Sequence, residues 1–208
     1  MPPVNFRLLL VTDRDQTRGR PLPSVLRVAV DGGTPAIQLR ERDLMTAELV
    51  SLAQELQAIT APRALPLLVN DRVDLVLALN LDGVHLRANS LPVSVARRLV
   101  GPGRLVGVST HGVEEVRQAN QDGADYVLFG PVFDTPSKRL FGAPFGLDAL
   151  AEVCRHSLVP VFAIGGVTSG RVRDVRRAGA HGVAVIRAVL ARDDVAAATG
   201  ELLDVLKP

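Results

Sequence analysis

Short apolar runs alternate along this chain with longer stretches whose apolar positions recur at helical spacing. The run Leu8-Leu9-Leu10-Val11 stops at the polar pair Thr12-Asp13, and a helical stretch follows over Leu22 to Val30. The same alternation repeats down the chain. Strand-like runs are read at Ala36–Arg40, Leu65–Asp71, Asp82–Leu86, Leu105–Thr110, Tyr126–Phe129, Val159–Ile164 and Gly182–Ile186. Between and after them the spacing predicts helices over Met45–Ile59, Val73–Leu79, Pro92–Val100, Val113–Gln121, Leu147–His156, Arg171–Ala178 and Val195–Leu206. In the helix after the second strand, Leu49, Leu52, Ala53 and Leu56 fall on one face.

Continuous apolar strands alternating with amphipathic helices predict a parallel sheet covered by helices. Eight such units favour closure: an α/β chain forming a single small (β/α)8 TIM barrel, with residues 1–208 as one domain. The competing open, doubly wound sheet usually has a glycine-rich turn after its first strand. Here that turn reads Thr12-Asp13-Arg14-Asp15. A weak repeat, glycine just before the even-numbered strands at Gly32-Gly33, Gly83, Gly123 and Gly179, suggests a two-unit building block.

Composition narrows the functions open to such a chain. With 208 residues, 47% of them hydrophobic, it has enough apolar surface for a sizeable core. Aromatics are 3%, net charge is +2 and like charges are not blocked together, which argues against nucleic-acid and membrane partners. Small anionic molecules are the expected partners, and homo-oligomerisation stays open. Cys154 is the only cysteine, and the N-terminus has no long apolar region, so a reducing, cytoplasmic setting is expected.

A closed barrel of this kind places its chemistry at the C-terminal ends of the strands. The sequence puts polar residues there in number: Thr12 and Asp13; Gln38, Arg40 and Arg42; Asn70 and Asp71; His85; Ser109, Thr110 and His111; Thr135, Ser137 and Lys138; Gly165 and Gly166; Arg187. Singly, Asp71, Ser109 and Thr168 read as helix caps. Three subsets suggest more. Gly165-Gly166 after the seventh strand, with the start of the segment after the eighth, fits a backbone phosphate cradle. Arg40, Arg42, Asn70 and Lys138 put three cations around one place, where an anion such as a diphosphate would relieve their repulsion. Lys138 stands out because the chain's 24 basic residues include only one other lysine, Lys207. Asp71 would hold Mg²⁺ with phosphate oxygens and water. Of the four histidines, His111 is the one expected to face a ligand.

Six segments in order resemble the thiamine-phosphate synthase superfamily, which includes the TenI-type thiazole tautomerases. They are Gln38-Leu39-Arg40-Glu41-Arg42; Asn70 to Leu75; Asp82 to Leu86; Gly107 to His111; Gly130 to Phe133 with Thr135 to Lys138; and Ala163 to Gly166. The resemblance runs from about Leu8 to Leu190. It implies a barrel in thiamin biosynthesis that couples hydroxymethylpyrimidine diphosphate to a thiazole phosphate, with release of diphosphate. Gln38, Arg40, Arg42, Asn70, Ser109 and Lys138 would hold the pyrimidine diphosphate. Asp71 would bind Mg²⁺, and Thr135, Ser137, Gly166, Ile186 and Arg187 would surround the thiazole phosphate. Arg40, Ser109, Lys138 and His111 are the expected catalytic groups. Two departures leave alternatives open. The second Mg²⁺ carboxylate of the synthase pattern is Ser90 here, within Arg87-Ala88-Asn89-Ser90, and Arg42 replaces a lysine. A TenI-type tautomerase, which needs no metal, or a non-catalytic thiazole phosphate-binding barrel therefore remain as readings. The tautomerase's catalytic histidine falls at Pro131.

Overall fold

The computed structural model describes residues 4–136, 139 and 142–207. The eight expected strands are present and each pairs in parallel with the next: β1 (Leu8–Val11), β2 (Ile37–Leu39), β3 (Leu67–Asn70), β4 (Gly83–Leu86), β5 (Leu105–Thr110), β6 (Tyr126–Phe129), β7 (Val161–Ile164) and β8 (Gly182–Val185). β8 pairs with β1, so the sheet closes into a (β/α)8 barrel.

The covering helices are α1 (Leu22–Asp31), α2 (Thr46–Thr60), α3 (Val73–Ala78), α4 (Val93–Val100), α5 (Val113–Asp122), α6 (Gly146–His156), α7 (Val172–Arg177), α8 (Arg187–Leu190) and α9 (Val195–Leu206). Three details differ from the sequence reading. The helix expected from Arg171 begins with a 3₁₀ turn, Ser169–Arg171, and the single turn of α8 falls in a segment with too few residues to show helical periodicity. Gly83, expected before the fourth strand, lies within it, and Asn80 (φ +52°) takes the left-handed position ahead of it.

Strand side chains alternate between two environments. Leu8, Leu10, Ile37, Leu39, Leu67, Val69, Val84 and Val106 point outward into the layer beneath the helices. Leu9, Val11, Leu68, Leu105, Tyr126, Leu128, Phe162 and Ala184 point inward and fill the barrel with Phe6. Rings dominate its lower half: Phe6 meets Phe162 at 5.4 Å and Tyr126 meets Phe162 edge-on at 5.6 Å. Gly107 makes room for them, because a Cβ there would come within 2.1 Å of the Tyr126 ring. The barrel is therefore a packed core, open to chemistry only at its upper rim. Cys154 packs at the end of α6 against Gly179, and burial pushes its thiol up to about 11, which keeps it unreactive. No helix among the described residues is long and apolar enough to cross a membrane.

Candidate active site

The inward alternation that packs the barrel carries four polar side chains to its mouth. Gln38 lies in register with Leu68, and Asn70 with His85. Ser109 is two residues above Gly107 on the same inward face. These residues form two hydrogen-bonded chains.

The first chain crosses β2, β3 and the turn after β3. Asp71 accepts from Asn70 Nδ2 at 3.2 Å. A carboxylate can only accept, so Asn70 must face it with its amide nitrogen and turn its oxygen to Gln38. Gln38 Nε2 donates to Asn70 Oδ1 at 3.3 Å. Gln38 Oε1 is then left buried without a donor, on a residue only 1% exposed. An orphaned buried acceptor is costly, about 1–3 kcal/mol, unless a ligand supplies the donor.

The second chain lies under β4, β5 and β6. His85 is fully buried, with Nδ1 3.0 Å from Tyr126 Oη and Nε2 3.0 Å from Ser109 Oγ. If Tyr126 donates to Nδ1, both buried donors in the chain are used: the tyrosine O–H donates to Nδ1 and Nε2–H donates to Ser109, which releases the serine O–H toward the mouth. The opposite polarity would strand the buried tyrosine O–H. Burial pushes the imidazolium of His85 down to about 3, so the ring is neutral. His85 is thus a satisfied core histidine that orients Ser109.

The cations lie beside these chains. Arg40 follows β2, with its backbone N–H on Thr12 Oγ1 at 2.8 Å. Burial holds its guanidinium below the usual value, and the charge of Arg42 adds to that. Neighbouring Glu41 turns away from the mouth. It accepts from Thr12 Oγ1 at 2.6 Å and from the Arg14 backbone N–H at 3.2 Å. The charges of Glu41 and Asp13 offset part of that on Arg40, but among the described residues neither Arg40 nor Arg42 forms an ion pair with an acid. Arg42 and Arg187 are exposed at the rim.

Asp71 departs from what its sequence position suggests. It does not cap α3, whose N-cap is Arg72. Its backbone is left-handed (φ +59°), and its N–H donates to the His85 carbonyl at 2.9 Å. Nor does it offer a free carboxylate to a metal. Oδ1 accepts the Arg87 backbone N–H at 2.9 Å, and Oδ2 accepts Arg87 Nε as well as Asn70. Among the described residues no group of three or more His, Cys, Asp or Glu side chains could hold a metal ion.

Opposite, the loop after β6 docks on the turn after β7. Val132 N–H donates to Ile164 O at 2.9 Å and Phe133 N–H to Gly165 O at 3.0 Å. Gly165 and Gly166 are left-handed, at φ +94° and +65°. A Cβ on Gly165 would lie 2.6 Å from Pro131, and one on Gly166 2.6 Å from the Asp134 carbonyl oxygen. The glycine pair thus lets the loop carrying Thr135 lie against the β7 turn. Ile186 follows β8 and packs against the barrel interior. Ser137 and Lys138 lie outside the described residues.

His111 reaches the rim but is paired: Nδ1–H donates to Glu115 Oε2 at 3.2 Å. Phe145, which the sequence reading did not single out, packs on Phe129 in a tilted arrangement at 5.3 Å and lies 6.1 Å from His111. It is 40% exposed, an apolar wall beside the mouth. A bulky apolar residue among the loop glycines was the available signal for it.

Comparison with known proteins points one way. A family model described as thiamine monophosphate synthase matches residues 8–189. A thiamine-phosphate synthase of Chloroflexus aurantiacus is 45% identical over 199 residues, covering 96% of this chain and 92% of that protein. A putative thiamine-phosphate synthase of Geobacter sulfurreducens is 44% identical over 208 residues, covering 100% and 98%. Among solved structures, a thiamine phosphate pyrophosphorylase from Pyrococcus furiosus superposes with a TM-score of 0.86 at 35% identity, covering 96% of this chain and 95% of that one.

Proposed function

The chain belongs to the thiamine monophosphate synthase family, and from that premise we propose that it couples a hydroxymethylpyrimidine diphosphate to a thiazole phosphate, giving thiamine phosphate and diphosphate. The observation that carries this reading is the orphaned Gln38 Oε1 beside Arg40 and Arg42. An aminopyrimidine ring supplies the missing donor through its amine, and a diphosphate supplies an ion-pair partner for the adjacent cations, which have none among the described residues.

In the reaction the methylene C–O bond breaks and its electron pair leaves with the diphosphate. The lone pair of the thiazole nitrogen then forms the new C–N bond. Arg40 and Arg42, with Lys138 assigned from sequence, stabilise the charge that grows on the leaving group. Gln38, fixed by Asn70, sets the plane of the pyrimidine. Ser109 donates its O–H to a substrate oxygen. Gly165, Gly166 and Thr135, with Ser137, Ile186 and Arg187, receive the thiazole phosphate from the opposite side, so that the nitrogen faces the methylene carbon. Phe145 limits the access of water to the cationic pyrimidine.

A Mg²⁺ held by the protein does not fit these residues. Both oxygens of Asp71 are engaged by Arg87 and Asn70, and Ser90 stands where a second carboxylate would be needed.

Incubating the protein with both substrates should give thiamine phosphate and diphosphate in equal amounts. Gln38→Leu should lower kcat/KM about 10–100-fold, in line with loss of a buried hydrogen-bonded pair, by raising KM for the pyrimidine substrate. Thiazole isomerisation without coupling would instead establish a tautomerase. Tight thiazole phosphate binding without either reaction would establish a binding protein.

A further inference from the structure

Arg87 stands on the first residue after β4, over Asp71. Its backbone N–H and its Nε meet the two carboxylate oxygens of that one side chain, so it grips Asp71 from two directions. The left-handed turn at Asp71 makes this possible, because it turns the carboxylate back toward the end of β4. The Arg87 side chain is half exposed, at 49%, whereas that of Asp71 is 14% exposed. Among the described residues, Nη1 and Nη2 of Arg87 meet no acceptor. Its charge is also felt at Arg40 across the mouth. Three residues further on, the loop holds a serine, Ser90.

We propose that Arg87 takes the place of a divalent cation: it neutralises Asp71 and offers its free guanidinium edge to the substrate's diphosphate, so that diphosphate binding needs no metal. The inference rests on the diphosphate reading of the Arg40–Arg42 site. An unpaired Asp71 would repel a diphosphate at close range, and something positive must lie between them. A metal would do this while bridging carboxylate and phosphate. A guanidinium does the same with five donors in a fixed fork: Nε goes to the carboxylate, and the Nη pair remains for phosphate oxygens. The side chain stays charged at any working pH, so neutralisation of Asp71 is permanent. Arg40 and Arg42 then complete a ring of three guanidiniums.

Calorimetric titration with inorganic diphosphate tests this without the full reaction. The wild-type protein should bind diphosphate in excess EDTA, with a Kd within about threefold of that in Mg²⁺, a small electrostatic difference. Arg87→Gln should weaken binding in EDTA by tenfold or more. Arg87→Lys, which keeps the charge and loses the fork, should fall between them. The double variant Arg87→Gly with Ser90→Asp should bind diphosphate tightly only when Mg²⁺ is added. Thermal unfolding of each variant checks that the barrel is intact, and the wild-type comparison depends on no variant. Wild-type binding that requires Mg²⁺ and is unaffected by Arg87→Gln would overturn the role of Arg87 and leave the diphosphate site standing. No binding under either condition would overturn the diphosphate site, and the inference with it.

Discussion

His85 is held far from its ordinary chemistry, and its state can be measured. Burial holds the imidazolium down at about 3, against an unperturbed value near 6.5. The unfolded chain therefore takes up a proton on this residue below about pH 6.5 that the folded chain refuses until about pH 3. Its contribution to stability is complete above pH 6.5. It is lost as the pH falls through that window, by up to about 1.4 kcal/mol per pH unit. Burial of His181, whose Nε2–H donates to the Phe6 carbonyl at 3.0 Å, acts in the same direction. An NMR titration should show His85 unprotonated at pH 5, with its ring shifts flat. Protonation of His85 near pH 6.5 would break the Tyr126–His85–Ser109 polarity deduced above. The sequence exposes these residues unevenly. Gln38, Asn70 and Ser109 are legible because each is a polar interruption at the upper end of an apolar strand. The partner of Asp71 is not, since the grip of Arg87 depends on one left-handed residue that no spacing rule requires. His85 reads as a core histidine from its strand position, yet its bond to Ser109 appears only once β4 and β5 are in register.

Between elements, the contact that matters most is the docking of the β6 loop on the β7 turn. Two backbone hydrogen bonds hold it, from Val132 to Ile164 and from Phe133 to Gly165. The far end of the loop is tied back as well, with Phe145 N–H on Pro131 O at 2.9 Å and Gly146 N–H on Val132 O at 3.1 Å. The Arg171 guanidinium lies 4.6 Å from the Phe133 ring centre and donates to Gly166 O at 2.7 Å, closing the turn from outside. Gly165→Ala would insert a methyl 2.6 Å from Pro131 at a backbone angle that disfavours any side chain. The expected cost is about 1–3 kcal/mol of stability. If Thr135 and the glycine turn hold the thiazole phosphate, KM for that substrate should rise tenfold or more, with KM for the pyrimidine diphosphate changed far less. Equal effects on both would place the two substrates otherwise. The sequence suggests the glycine pair as a phosphate cradle from its position after the seventh strand. The use that the structure shows, as the clearance that lets the neighbouring loop approach, was not readable, because close approach between two loops leaves no periodic trace.

At the scale of the whole molecule, the two ends of the barrel use charge differently. At the mouth, Arg40 and Arg42 lie close enough to feel each other's charge and form no ion pair with an acid among the described residues, an arrangement that suits an anionic substrate. At the opposite end, Asp125, just before β6, is buried and paired through its Oδ2. It accepts from the Val106 backbone N–H at 2.7 Å and from Arg97 Nη2. Arg97 in turn donates to the carbonyls of Gly123, Gly101 and Arg104, tying the junctions before β5 and β6 to α4. This division follows from topology. Parallel strands send all their C-terminal ends, and the βα loops that follow them, to one rim, and the chemistry of such barrels is built on those loops. The alternation of apolar runs was therefore enough to read both the closed barrel and the side on which the site lies, although single turns such as α8 were not separable from loops. Asp125→Ala strands the Arg97 guanidinium in a partly buried setting, and breaking such a pair costs about 3–5 kcal/mol. Urea unfolding should show that loss, while kcat and both KM values of the folded enzyme stay within about twofold of wild type, the scatter expected of a site that keeps its geometry. A comparable fall in kcat would mean that strain at the lower end reaches the mouth through the ring-packed interior, and that the barrel does not insulate its site from its base.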